Sequence, residues 1–304
     1  MPALLDAPSV CKLVAGELEA VLLPDHGMLC ASLRHRGAEL LRRIDDLERA
    51  AAKGSSAGIP LLHPWANRLG GTHYRAAGRA VQLDPTSPLL HADENGLPIH
   101  GVPWSRLGWE VSAVDRERIA ARLEWSRPEL LAVFPFPHRM EMIATLRPDG
   151  LTIDTTLRAL AGAAVPVAFG FHPYVGLPDL PRARWRLQLP AMRRLLLDAR
   201  GIPTGRDEAF AGFDAPLGAT AFDDGFGEIG DAPSLSLVGG GRRISVEFIA
   251  GYACAQVFAP AGQDTVALEP MTAPTNALAS GRGLRIVPPG DAFHAAFRIA
   301  IGAA

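Results

Sequence analysis

Cysteine is scarce in this 304-residue chain: Cys11, Cys30 and Cys254 lie far apart and none is in Cys-x-x-Cys spacing. They offer neither a disulfide framework nor a thiolate zinc site, and read as small core residues. Lysine occurs only at Lys12 and Lys53, and the other cationic residues are arginines scattered singly or in pairs. With a formal net charge of -2 there is no basic stripe to follow a phosphate backbone, so nucleic acid is not an expected partner. None of the nine histidines stands in His-x-His or His-x-x-x-His spacing, which leaves metal ligation without a motif. Long apolar runs are missing as well. No stretch approaches membrane-spanning length, and Met1 to Val10 has no basic segment followed by an apolar one. A Gly-rich phosphate loop and a serine or cysteine elbow in strand-turn-helix context are both absent. The expectation is a soluble cytoplasmic protein with no metal, no nucleotide cofactor and no covalent intermediate.

What is present is 48% hydrophobic content, enough for a sizeable core, and a two-residue period. Short apolar runs from Leu13 to Leu23 and from Met28 to Leu33 suit strands. Asp45 to Lys53 suits a helical turn. From Trp109 onward the alternation becomes clear: Ile119, Ala121, Leu123 and Trp125, then Met140, Met142, Ala144 and Leu146. Leu151, Ile153, Thr155 and Leu157 follow the turn Pro148-Asp149-Gly150 and complete a hairpin. Trp185, Leu187 and Leu189 alternate, and Leu235 and Leu237 pair through Gly239-Gly240-Gly241 with Ile244, Val246 and Phe248. Phe293, Ala295, Phe297 and Ile299 end the series. Many short alternating strands, no sustained helical period and no repeat predict an all-β fold, a large antiparallel β-sandwich forming a single domain over 1–304.

Between the strands lie segments too irregular for regular structure and too apolar for a linker. Gly58 to Gly71 carries Pro64-Trp65-Ala66-Asn67-Arg68-Leu69, and Asp84 to Pro103 carries His91, Asp93, Glu94 and His100-Gly101. Val165, Val167 and Phe169 read as a strand that delivers His172 at its end, ahead of Pro173. On chemistry alone His172 is either a proton-transfer group or a buried histidine satisfied by a backbone carbonyl. Glu269 follows the apolar Val266-Ala267-Leu268 and precedes Pro270, as a held charge or as the gatekeeper of an edge strand.

The order of these motifs resembles the aldose 1-epimerase (galactose mutarotase) family. The resemblance rests on Asn67-Arg68, His100-Gly101, Gly170-Phe171-His172-Pro173-Tyr174, Pro203-Thr204-Gly205, Asp223-Asp224-Gly225-Phe226, Leu268-Glu269-Pro270 and Gly283-Leu284-Arg285-Ile286-Val287-Pro288-Pro289-Gly290. It implies the galactose mutarotase-like supersandwich and interconversion of the α and β anomers of a free sugar. Glu269 then matches the family's base, His172 its acid, and His100 a second histidine near the ring oxygen, which is otherwise a loop anchor. Arg68 and Asp223 match positions that grip hydroxyls, with Asn67 and Gln256 as further matches of the same kind. Asp224 adjoins Asp223, and only one of two neighbours on a strand faces a site. Trp65 and Tyr174 are candidates for stacking on a sugar face.

The loop Leu89 to Pro98 departs from the family pattern, so galactose and glucose are default substrates. Two alternatives accompany this reading. A hexose-6-phosphate 1-epimerase would need a cationic pocket, for which Arg182, Arg184, Arg186 or Arg193-Arg194 are available. A non-catalytic sugar-binding module could dispense with the acid or the base, yet both are present.

Overall fold

A strand whose residues alternate between apolar and polar can lie on a core with one face and meet water with the other. The hairpin His138–Arg147 and Gly150–Ala159 does this, in register from His138 opposite Ala159 to Arg147 opposite Gly150. Met140, Met142, Ala144, Leu146, Leu151, Ile153 and Leu157 are all buried on its inner face. The computed structural model describes residues 10–43, 46, 57–178 and 180–304. The helical turn expected over Asp45 to Lys53 lies almost wholly outside these described residues.

The central hairpin belongs to a nine-stranded sheet. Its spatial order is Phe213–Pro216, Arg186–Leu189, Ser234–Gly239, Arg242–Ala250, Ala292–Ala303, Gly150–Ala159, His138–Arg147, Arg118–Trp125, Glu110–Val114. The glycine-turn hairpin is there as read, with Leu235 opposite Val246 and Leu237 opposite Ile244. A second, eight-stranded sheet runs Pro203–Phe210, Met192–Leu197, Phe222–Gly227, Cys254–Ala259, Val266–Met271, Gly170–Phe171, Leu61–Leu62, with Tyr174–Val175 also paired to Val266–Met271. Phe171 of this sheet meets Phe297 of the other, ring centroids 5.0 Å apart, inside one continuous hydrophobic core. A four-stranded sheet of Cys11–Ala15, Leu18–Leu23, Leu29–His35 and Ala38–Glu39 precedes them. All named strand pairs are antiparallel, and helix among the described residues is limited to short pieces such as Pro128–Val133. The large antiparallel β-sandwich expected from alternation is the observed fold. The three cysteines are free and buried, and among the described residues no helix is long and apolar enough to cross a membrane.

Two readings change at the heart of the second sheet. The run Val165 to Phe169 is not one strand: Val165–Val167 pairs with Arg285–Val287, and the chain then crosses to pair Gly170–Phe171 with Leu61–Leu62 and Met271. Every residue from Val165 to Val175 is buried, so this run has no polar face to mark where one pairing stops and the next begins. Glu269 is no edge gatekeeper either, because Val266–Met271 has a neighbour on each side and all six of its residues are buried.

Arg182 joins the outer end of this architecture. Its guanidinium is buried and donates to five backbone carbonyls: Gly218 from Nε, Gln263 and Thr265 from Nη1, Thr220 and Ala259 from Nη2, at 2.8 to 3.3 Å. Arg182→Ala strands those acceptors away from water and is expected to lower unfolding free energy by about 3–5 kcal/mol. Urea denaturation measures this, and a loss below about 1 kcal/mol would show that water replaces the guanidinium there.

Candidate active site

The sheet position of Glu269 decides its surroundings. Gln256 is its cross-strand partner, Gly225 pairs with Gln256 one strand further, and Asp223 accepts a hydrogen bond from Gln256 Nε2 at 2.8 Å. Asp224, the next residue, turns the other way and lies 3.4 Å from Arg194, as strand alternation requires. Asp223 is therefore the aspartate that faces the cleft with Glu269.

His172 sits in the gap between Gly170–Phe171 and Tyr174–Val175, with Nε2 3.1 Å from Glu269 Oε1. Its ring is stacked on Tyr174 at 4.1 Å and 23° and meets the rings of His100 and Phe258 edge-on. Both partners of the pair are almost wholly buried, with side chains 6% and 2% exposed. Burial, and then the neighbouring Asp223, raises the Glu269 carboxyl well above its ordinary range. Burial, and then His100, lowers the His172 imidazole well below its own. Both shifts favour a neutral pair with the bridging proton on the carboxyl. Glu269 Oε2 is buried without a hydrogen-bond partner, an unmet acceptor at the floor of a cleft.

The opposite wall is made by two loops bonded to each other. The Asn67 N–H donates to His100 Nδ1 at 3.2 Å, and the His100 N–H donates to the Asn67 carbonyl at 2.9 Å. Both residues have left-handed backbone, φ 57° and 61°, strain that persists only where neighbours impose it. Since Nδ1 accepts, the neutral His100 ring carries its proton on Nε2. Burial first, then Arg68 and His91, pushes its pKa down to about 3, so it is an uncharged donor at neutral pH. Asn67 Oδ1 accepts from the Arg68 N–H at 2.8 Å, while Arg68 Nε donates to Asp93 at 2.6 Å.

All seven site residues singled out in the sequence line one cleft of about 310 Å³, joined by Glu94, Ile99, Tyr174 and Phe258. Trp65 is not among them; it is buried in the core. Tyr174 is in the wall as a plate behind His172. Phe258 was legible in retrospect, two residues beyond Gln256 on the same face of one strand. Asp93 and Glu94 gave no such signal, because nothing in a loop sequence states which distant side chain it will reach. Among the described residues there is no group of three or more metal-binding side chains.

The aldose 1-epimerase family model matches residues 10–300. The chain belongs to the aldose 1-epimerase family. A curated relative in this family-sized range is the uncharacterized protein YihR of Escherichia coli K12, 25% identical over 255 residues, covering 79% of this chain and 80% of that protein. Solved structures give the fold. The Slr1438 protein of Synechocystis sp. PCC 6803 superposes with TM-score 0.81 at 24% identity, over 100% of this chain and 99% of that one. A galactose mutarotase-like protein of Clostridium acetobutylicum gives 0.83 at 17%, over 96% and 95%. The GalM/aldose epimerase homologue of C. elegans gives 0.80 at 16%, over 98% and 100%. The β-sandwich described above is thus the galactose mutarotase-like fold.

Proposed function

We propose that this family member is an enzyme, an aldose 1-epimerase that interconverts the α and β anomers of a free aldose by opening and reclosing the ring. The observation that carries the reading is the buried Glu269–His172 pair with Oε2 left unbonded in the cleft. The anomeric hydroxyl and the ring oxygen are both attached to C1, so a carboxylate oxygen and an imidazole nitrogen held side by side can serve both. Transfer of the shared proton from Glu269 to His172 gives the reacting carboxylate–imidazolium form, and from it Glu269 takes the proton from the anomeric hydroxyl as C1=O forms. The C1–O5 bond breaks, its electron pair goes to O5, and His172 delivers a proton there. The Nε2–H of His100 is an uncharged donor for the charge that grows on O5. After these transfers the carboxyl is protonated and the imidazole neutral, which is the state burial favours. Rotation about C1–C2 and the reverse transfers yield the other anomer. Asp223, Gln256, Asn67 and Arg68 supply acceptors and donors for the remaining hydroxyls.

A free sugar is favoured over a hexose 6-phosphate because none of Arg182, Arg184, Arg186, Arg193 and Arg194 lines the cleft, and four of the five are engaged elsewhere. Arg182 is saturated by carbonyls, Arg186 pairs with Asp214, Arg193 with Asp207, and Arg194 with Glu208 and Asp224. Retention of both acid and base favours catalysis over a binding module. Polarimetry on freshly dissolved α-glucose and α-galactose tests the reading. A first-order rate above the spontaneous one and proportional to protein concentration is expected. Acceleration confined to hexose 6-phosphates would overturn the free-sugar assignment, and none on either class would favour the binding module.

A further inference from the structure

Arg68 is the cationic residue of the cleft, and its side chain is held from behind. Asp93 Oδ2 accepts its Nε–H at 2.6 Å, while Oδ1 of the same carboxylate accepts the backbone N–H groups of Asn95 and Leu97 at 2.9 Å. The Asp93 side chain is only 2% exposed. Burial pulls its carboxyl upward, but the bonds from Arg68, Leu97 and Asn95 outweigh that and hold it below its ordinary value. The tip 93–97 is closed on itself by Asp93 N–H to Leu97 O and Gly96 N–H to Asp93 O, so the carboxylate is in place before any ligand arrives.

On the other side lies Gly201. A Cβ built there would stand 3.2 Å from Arg68 Nη1 and 3.4 Å from Cζ and Cδ, so the glycine lets its backbone approach the guanidinium closely. A planar guanidinium whose Nε is fixed and whose flank is packed has its remaining N–H groups fixed as well. Those are the groups left for a sugar; one of them, on Nη2, also faces the exposed Glu94 at 3.5 Å.

We propose that Asp93 is a positioning residue that orients Arg68 toward sugar hydroxyls and thereby sets the affinity of the cleft; the inference rests on the reading of the site as an aldose site. A flexible arginine must be ordered on binding and an oriented one need not be, so the effect falls on sugar affinity more than on the proton transfers at Glu269 and His172.

Asp93→Asn keeps an Oδ1 acceptor for Asn95 and Leu97 but removes the carboxylate that faces Arg68 Nε. Its expected effect is about a tenfold rise in KM with kcat within about twofold of wild type. The deciding experiment is a double-mutant cycle with Arg68→Ala. With Arg68 gone, Asp93→Asn is expected to have no further effect on KM. Equal effects of Asp93→Asn with and without Arg68 would overturn the proposal and make Asp93 a loop residue only. Should wild-type protein accelerate no free aldose, the aldose reading fails while the hold of Asp93 on Arg68 is read from the Arg68 Nε–H signal in nitrogen-15 NMR. Hydrogen exchange there at least tenfold faster in Asp93→Asn supports the positioning role, and unchanged exchange overturns it.

Discussion

Replacing Glu269 by glutamine is expected to lower kcat for mutarotation by about a thousandfold, within the usual range for removing a positioned acid–base group. The amide keeps the shape of the side chain and a hydrogen bond to His172, but it cannot accept a proton from the anomeric hydroxyl. His172→Gln removes the group that protonates the ring oxygen and is expected to lose a similar factor. Because the two side chains share one proton across 3.1 Å, they act as a unit, and the double variant is expected to be no slower than the worse single one. Polarimetry at several protein concentrations measures this against spontaneous mutarotation. A Glu269→Gln variant retaining more than about a tenth of wild-type kcat would remove the carboxylate from the chemistry. Glutamine is also expected to leave the fold intact, since burial opposes ionisation of this carboxyl and the substitution puts no charge there.

How far the sequence foretold this site depended on whether each strand keeps a polar face. The hairpin from Met140 to Leu157 and the one through Gly239-Gly240-Gly241 were readable because each has an inside and an outside. The same alternation separates Asp223 from Asp224 once their strand is paired with Cys254–Ala259. The segments that hold His172 and Glu269 are buried on both sides, and there periodicity is silent: it suggested a single strand where the chain changes sheets, and an edge where there is an interior. The identities of those residues came from the order of motifs along the chain. Contacts between distant segments left no trace of either kind. Arg68 and Asp93 are 25 residues apart in two irregular loops, and the carbonyls around Arg182 come from segments up to 83 residues away. Such pairs are chosen by the tertiary fold, which no local pattern encodes.

One such pair leads to the second large effect, a steep loss of stability in mild acid. His63 and His138 are buried, 3.0 Å apart from Nε2 to Nε2, against Trp125 and Phe134. The His138 Nδ1–H donates to the Phe136 carbonyl at 2.6 Å, so its Nε2 accepts from the Nε2–H of His63; a second proton on His138 would break that bond, and one on His63 Nδ1 would be buried without an acceptor. Burial, then the neighbouring ring, holds His63 well below its ordinary pKa, and burial pushes His138 down to about 4 and His100 down to about 3. Below about pH 6.5 the unfolded chain protonates these three imidazoles and the folded chain does not, so stability falls as pH falls. Each contributes up to about 1.4 kcal/mol per pH unit, and the three together remove about 6 kcal/mol by pH 5. That is comparable to the whole stability of an ordinary domain. His172 is left out of this tally because Glu269, shifted upward beside it, opposes its effect. Urea denaturation from pH 7.5 to 5.0 measures the slope, and the double variant His63→Phe/His138→Leu is expected to abolish about two-thirds of it. A wild-type loss below about 1 kcal/mol, or a double variant with the wild-type slope, would mean that the buried imidazoles take up protons in the folded protein.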